Sequence, residues 1–403
     1  MNIPLKPVMN LTACLPWALF ALAVSAAPPG SLDDSHIGFE GQVYDFAFLP
    51  NGHMLVAETD PNWMGPNDGL NHRIVEIGRR GRETVTGISA MISPINGLEP
   101  VGRGTFWATS GGMDLTFGAG LWRISRGNVR FVADISAFFL GDWPEGEPGP
   151  HPEWKDFRCE EFANFSHGPQ VNPYHLTALS GSEVLIGDAA GNSVLWADID
   201  GNIEVVAFMD PATDPDTGEW MALGLVNDQG EIDPIGGSIE CYVEPVPTAV
   251  AIGPDGAWYV SDMIGATPMN FVGEPTPRGL SRIWRIEPGT RNATCPSDAC
   301  TRVEFNEDVE LNAIIDIEFG PDGKLYLVEF EKSGFLAVVA PGLDIPLAGG
   351  AVKRCDVDTG ECDRLDDGVP FLPLPGAIAF DKWNDLWLLE NVFDPTIRKI
   401  DWR

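Results

Sequence analysis

Basic residues are scarce in this chain. Lys and Arg together number 25 against 59 Asp and Glu, a formal net charge of −34. Such a surface repels phosphate backbones and anionic membranes, so no nucleic acid is expected as a partner. Histidine is scarce too, with His36, His53, His72, His151, His167 and His175 the only six. No CxxC pair or Cys/His spacing suggests zinc. Nucleophile elbow, P-loop, dinucleotide fingerprint and HExxH are all missing, which removes the reaction classes that those motifs serve. Long apolar runs are missing beyond the N-terminus. Residues 11–24 are mostly apolar but too short for a comfortable span, so no membrane span is expected.

That N-terminal stretch reads as an export signal. Lys6 supplies a weak positive region, and Val24-Ser25-Ala26-Ala27 offers small residues for cleavage. Residues 1–27 are taken as the signal and 28–403 as one domain. Leu11-Thr12-Ala13-Cys14 also resembles a lipoprotein box, the minor reading because the apolar run continues past Cys14. Removing the signal leaves six cysteines, an even number that favours disulfides in an exported, periplasmic or extracellular protein. Cys295 with Cys300 and Cys355 with Cys362 each flank a short turn, leaving Cys159 and Cys241 for each other.

Glycine (45) and proline (34) are abundant, as a chain of short strands and tight turns requires. The clearest unit is Ile315-Asp316-Ile317-Glu318-Phe319-Gly320-Pro321-Asp322-Gly323-Lys324-Leu325-Tyr326-Leu327-Val328-Glu329. It reads as two strands around a Gly-Pro-Asp-Gly turn. Residues 246–262 nearly copy it, residues 44–58 are another copy, and weaker copies run over 96–110, 172–188 and 375–390. Third strands are expected at 73–77, 121–124, 193–196, 282–286, 336–339 and 397–400. Four short strands recurring about every fifty to eighty residues specify a six-bladed β-propeller, all-β, with four-stranded blades of the TolB-like or NHL-like type. The last copy ends on its third strand, so residues 37–42 are expected to supply the missing outer strand of the last blade and close the ring.

The strand directions place the chemistry. Connections from second to third strand, and from one blade to the next, share one face, here called upper. The long connections at 59–70, 141–171, 210–245 and 263–279 belong to it, and loops on one face of a rigid scaffold are where binding concentrates. Glu58, Ser110, Asp188, Asp262, Glu329 and Glu390 each end a second strand there and are expected to ring the mouth of the central channel. Asp45, Asn96, Asn172, His175, Thr248 and Asp316 sit beside them at the starts of first strands. Converging carboxylates need a cation, raised pKa values or water. Ca2+ is the natural candidate, with Glu58, Asp188, Asp262, Glu329 and Glu390 as ligands; the alternative is a water-filled channel whose acids bond strand-end amides.

Asn172-Pro173-Tyr174, Ile186-Gly187-Asp188-Ala189-Ala190-Gly191-Asn192, residues 246–256, residues 279–286 and residues 325–329 resemble the ScyD/ScyE family, associated with gene clusters for the cyanobacterial sunscreen scytonemin. The resemblance implies an exported six-bladed propeller and no particular reaction. Two functions follow as expectations. One is a monomeric binding or assembly protein that takes a small molecule or protein at the upper face, stabilised by Ca2+. The other is a metal-dependent hydrolase resembling lactonase propellers of the gluconolactonase type, for which Asn96, Asn172 and Asp316 would be ligands, although no Glu occupies the start of a first strand.

Overall fold

The structure is a computed structural model that describes residues 37–59, 72–78, 81–88, 94–111, 119–140, 171–213, 218, 220, 224–226, 232–234, 243–265, 269–270, 279–339, 346–366, 369 and 371–402. The expected signal at 1–27 and the Cys159–Cys241 pair lie outside these residues.

Six four-stranded antiparallel blades form the ring. Blade 1 comprises Gln42–Phe48, Met54–Thr59, His72–Gly78 and Gly81–Ile88, and blade 2 Ile95–Gly102, Thr105–Ser110, Gly120–Ser125 and Asn128–Asp134. Blade 3 comprises Pro173–Ala178, Glu183–Asp188, Ser193–Asp198 and Ile203–Met209, and blade 4 Pro247–Ile252, Trp258–Asp262, Ile283–Ile286 and Cys300–Arg302. Blade 5 comprises Ile314–Phe319, Leu325–Glu329, Ala351–Cys355 and Cys362–Arg364. Blade 6 has Ala377–Phe380, Leu386–Leu389 and Thr396–Ile400. Its fourth strand is Ile37–Gly38, paired antiparallel with Thr396 and Ile397. The closure expected from the sequence is therefore present.

One expected strand is not. Residues 336–339 form a short helix, Leu336–Val339, and the third strand of blade 5 is Ala351–Cys355, with Ala351 opposite Glu329. Val338 of this apolar run packs against the core from a long upper-face connection, so hydrophobicity alone did not identify the paired strand.

The turn motif explains why the hairpins repeat so faithfully. In blade 5 the Asp322 carboxylate accepts from Lys324 N at 3.3 Å, Tyr326 Oη at 3.2 Å and Arg354 Nε at 2.8 Å. In blade 4 Asp255 does the same with Ala257 N, Tyr259 Oη and Arg285 Nε. One turn aspartate thus ties three strands of its blade together. The glycine that follows has a φ of +80° at Gly256 and +77° at Gly323, where a side chain would be strained.

Seams between blades repeat as well. An aromatic on the second strand of one blade packs on the phenylalanine ending the next blade's first strand. The pairs are Tyr259 with Phe319 at 4.8 Å, Tyr326 with Phe380 at 4.9 Å and Trp387 with Phe48 at 5.8 Å. The last of these joins blade 6 to blade 1 across the closure. Two disulfides, Cys295–Cys300 and Cys355–Cys362, staple connections on the lower face. Residues 293–295 also add a short parallel strand to the outer edge of blade 3, so blades 3 and 4 are fastened at the periphery. On the upper face Gly224–Val226, Ile232–Pro234 and Met269–Asn270 form a small separate sheet. No helix among the described residues is long and apolar enough to cross a membrane.

Trp387 is buried at the closing seam. Trp387→Ala should cost about 3–5 kcal/mol, measured as a lower denaturant midpoint.

Candidate functional site

In blades 1 to 5 the first strand carries a register irregularity near its start: at Val43/Phe46, Ile95/Gly97, Pro173/Leu176, Pro247/Ala249 and Ile314/Asp316. A bulge re-aims the side chains around it. Asp45, His175 and Asp316 occupy equivalent places within or at the end of the irregular step in blades 1, 3 and 5. His175 Nδ1 donates to Asp316 Oδ1 at 2.8 Å, and Nε2 donates to Tyr44 O at 3.4 Å. These blades are not neighbours in the ring, so such contacts exist only at the axis. His175 is also stacked against Tyr174, ring centroids 4.7 Å apart and planes 22° from parallel. The three charged side chains are buried.

The remaining acceptors at the axis hold the blades together. Asp45 Oδ1 accepts from Phe46 N and Oδ2 from Leu98 N of blade 2, at 2.8 and 2.6 Å. Asp316 Oδ1 accepts from Ile317 N and Oδ2 from Ile378 N of blade 6, both at 2.8 Å. Two residues further along the first strands, Glu99 accepts from Ala178 N of blade 3 and Glu318 from Phe380 N of blade 6. Thr248 Oγ1 donates to Ile314 O, and Asn96 Nδ2 donates to Pro173 O and to Asn172 Oδ1.

The electrostatics follow from that crowding. Burial disfavours the His175 imidazolium, but the carboxylates of Asp316 and Asp45 outweigh it and hold its pKa at about 9. Burial pushes Asp45 up to about 7, against the pull of His175. Burial likewise pushes Glu99 up to about 8 and Glu318 well above the usual carboxylate range, with Asp316 and Glu99 adding to the shift at Glu318. Glu99 and Glu318 are partly exposed to the lumen, yet protein encloses them, so the dry surroundings dominate.

The six residues expected to ring the mouth hold different partners. Glu58 accepts from Gly41 N at 3.1 Å and from Arg73 Nε at 2.8 Å. Asp262 accepts from Arg282 N and Nε and from Trp284 Nε1. Glu329 accepts from Asn312 N and Lys353 Nζ, both at 2.8 Å, and Glu390 from Arg398 Nε at 2.6 Å. Ser110 accepts from Trp122 Nε1. Asp188 Oδ1 accepts from Asn172 N and Gly191 N, at 2.7 and 3.1 Å. Each is thus fastened within its own blade. Burial raises the carboxyls of Glu329, Asp262 and Asp188, the last to about 7. At Glu58 the same burial is overcome by Arg73 and the carboxyl lies below its usual range. Among the described residues no group of three or more His, Cys, Asp or Glu side chains is placed to hold a metal ion.

The structure therefore brings together Asp45, His175 and Asp316, joins Asn96 to Asn172, and gives the second-strand acids to their own blades. Sequence reading missed Glu99 and Glu318. The available signal was a polar residue on an innermost strand with apolar residues on both sides, as in Ile317-Glu318-Phe319 and Leu98-Glu99-Pro100.

No protein-family model matches the chain, and no curated protein does. Solved structures similar to it include virginiamycin B lyase from Staphylococcus aureus, with 15% identity, 88% of this chain and 81% of that chain covered, and a TM-score of 0.46. A putative oxidoreductase (glucose dehydrogenase) from Thermus thermophilus matches at 14% identity over 90% of this chain and 98% of that chain, with a TM-score of 0.44. A nidogen/laminin complex matches at 10% identity over 88% and 86%, with a TM-score of 0.41. Similarity this low says nothing of the chemistry of this chain.

The axial cluster sets a pH dependence. His175 has a folded pKa of about 9 against an ordinary 6.5, so the stability it contributes is complete below 6.5 and lost as pH rises through 9. Asp45 and Glu99 keep protons in the folded state that the unfolded chain releases above its ordinary values of 3.8 and 4.5, so stability falls further as pH rises towards their folded values of about 7 and 8. All three act in one direction. The melting temperature should fall from mildly acidic pH towards pH 9, a loss on the order of a few kcal/mol, and His175→Gln should flatten the segment above 6.5. Scanning calorimetry across that range checks both.

Proposed function

We propose that this chain is an exported binding or assembly protein that acts through its upper face. One observation carries the reading. Leu347, Phe371 and Phe393 are 44%, 45% and 49% exposed, and all three lie on upper-face connections of blades 5 and 6. The connections are stitched to one another. Gly350 N donates to Leu372 O, Val392 N donates to Leu374 O, and Ser333 Oγ donates to Pro346 O. The apolar side chains are thus mounted on fixed backbone, which lowers the ordering cost of binding. Exposed apolar groups on a chain of net charge −34 suit a partner that offers an apolar centre and a basic rim.

The axial groups support the same reading by being occupied. A lactonase-like site would need Asn96, Asn172 and Asp316 as ligands. Asn96 and Asn172 are bonded to each other, and Asp316 to His175 and two backbone amides. Calcium at Glu58, Asp188, Asp262, Glu329 and Glu390 would have to displace Arg73, Arg282, Lys353 and Arg398 from four of the five. The two disulfides fit an oxidising, exported setting, and the resemblance to the ScyD/ScyE family fits an exported propeller without a dedicated reaction.

Titration with an amphipathic Leu/Lys peptide tests the proposal. Binding should be saturable, weaken with salt, and fall at least tenfold in the Phe371→Ser/Phe393→Ser variant at unchanged melting temperature. An equally apolar Leu/Glu peptide should not bind. Equal affinity of wild type and variant would sink the reading. A separate melt in EDTA and then in added Ca2+ should show coincident curves; a calcium-specific rise lost in Asp188→Ala/Glu329→Ala would restore the metal site.

A further inference from the structure

Blade 3 lacks a charge that four of its sister blades possess. Glu58, Asp262, Glu329 and Glu390 each face an Arg or Lys from the next strands of the same blade. In blade 1 the ladder sets Arg73 opposite Glu58. In blade 3 the same ladder sets Ser193 opposite Asp188. Directly opposed residues in an antiparallel pair project from the same face, about 5 Å apart at Cβ. Both residues are wholly buried, and neither Asp188 Oδ2 nor Ser193 Oγ has a hydrogen-bond partner among the described residues.

The surroundings are apolar on one side. A Cβ built on Gly191 would meet Asp188 Oδ2 at 2.3 Å and Phe139 Cζ at 3.3 Å, so carboxylate and ring both pack close to Gly191. Phe139 comes from the short helix Ile135–Leu140 and shares an apolar cluster with Val171 and Phe208, the latter opposite Ser193. In blade 4 the corresponding space is filled by the Arg282 guanidinium, which reaches on to Asp210 O and Pro211 O.

Three occupants could serve the two orphaned oxygens. A proton on Asp188 cancels the charge but leaves Ser193 Oγ alone. A water bonds both oxygens but leaves the charge unless Asp188 is also protonated. A cation, directly or through one shared water, answers both needs. A single carboxylate matches a monovalent ion, because divalent sites in proteins draw on several acids. We propose that blade 3 binds a small monovalent cation held by Asp188 Oδ2 and Ser193 Oγ, in the role that Arg and Lys play in blades 1, 4, 5 and 6.

The test compares melting in NaCl, KCl, RbCl and tetramethylammonium chloride at equal ionic strength and at pH 8, which separates a specific ion from general screening of an acidic protein. The expected result is a melting temperature that depends on cation identity, with tetramethylammonium lowest. Asp188→Asn should abolish that dependence and Ser193→Ala should weaken it; Ser193→Ala preserves the test if Asp188→Asn does not fold. Crystals grown in RbCl should show an anomalous peak beside Asp188 Oδ2. Superimposable wild-type melts in all four salts would overturn the site, as would a cation ranking retained unchanged in both variants.

Discussion

The innermost strand of each blade has no strand on its axial side, and its free amide and carbonyl groups govern what the centre of this ring can contain. Backbone polar groups removed from water must be paired. The pairing is done by side chains reaching from one blade to the next. Asp45 takes Leu98 N, Glu99 takes Ala178 N, Asp316 takes Ile378 N and Glu318 takes Phe380 N, while Asn96 and Thr248 supply donors to carbonyls. Carboxylates are good acceptors for this purpose, since both oxygens can serve. They also bring charge into a dry place. His175 is the remedy, a single cation set against Asp316 and Asp45, and the raised pKa values of Asp45, Glu99 and Glu318 record how far the remedy goes.

The same economy operates further out. A carboxylate ending a second strand fastens its blade to the following strand through Arg or Lys, and a turn aspartate does so at the opposite end through Tyr and Arg. Acidic residues are therefore structural at three levels of the blade. Glu331 and Asp366 are buried as well, taking backbone amides and Arg364. Both ends of a blade are closed internally, so the exposed Leu347, Phe371 and Phe393 stand apart from these structural contacts.

Much of the fold was legible because the hairpin repeat carries its own punctuation. Gly-Pro-Asp-Gly marks the turn, alternation marks the strand, and the missing last strand implies the closure by Ile37–Gly38. Residues 336–339 misled because an apolar tetrapeptide fits a strand or a helical turn equally, and only pairing with Leu325–Glu329 distinguishes Ala351–Cys355 as the true third strand. The site was half legible. Position in the repeat placed Asp45, His175 and Asp316 at the channel, but it could not say which side chains would meet. Glu58 and Asp262 looked like a ring of acids because repeat arithmetic counts positions and ignores the Arg that faces each of them from the next strand. A carboxylate and its cation on adjacent strands lie far apart in sequence, as with Glu58 and Arg73, so their pairing emerges only from the register.

The axis also shows why six similar blades cannot be identical. The place taken by Asp45, His175 and Asp316 in blades 1, 3 and 5 is taken by Gly97, Ala249 and Ala377 in blades 2, 4 and 6. At Gly97 a Cβ would stand 2.6 Å from Tyr174 O and 2.8 Å from Thr109 Oγ1, so even alanine is refused there. Three large groups fill the axis, and the intervening blades must give way. Alternation turns a six-fold repeat into a three-fold arrangement at its centre, and within it one member must be a base, because three carboxylates would face one another without relief. His175 is that member. Blade 3 is thus distinguished at the axis by its imidazole and at its upper edge by an acid without the Arg or Lys that faces its counterparts in blades 1, 4, 5 and 6.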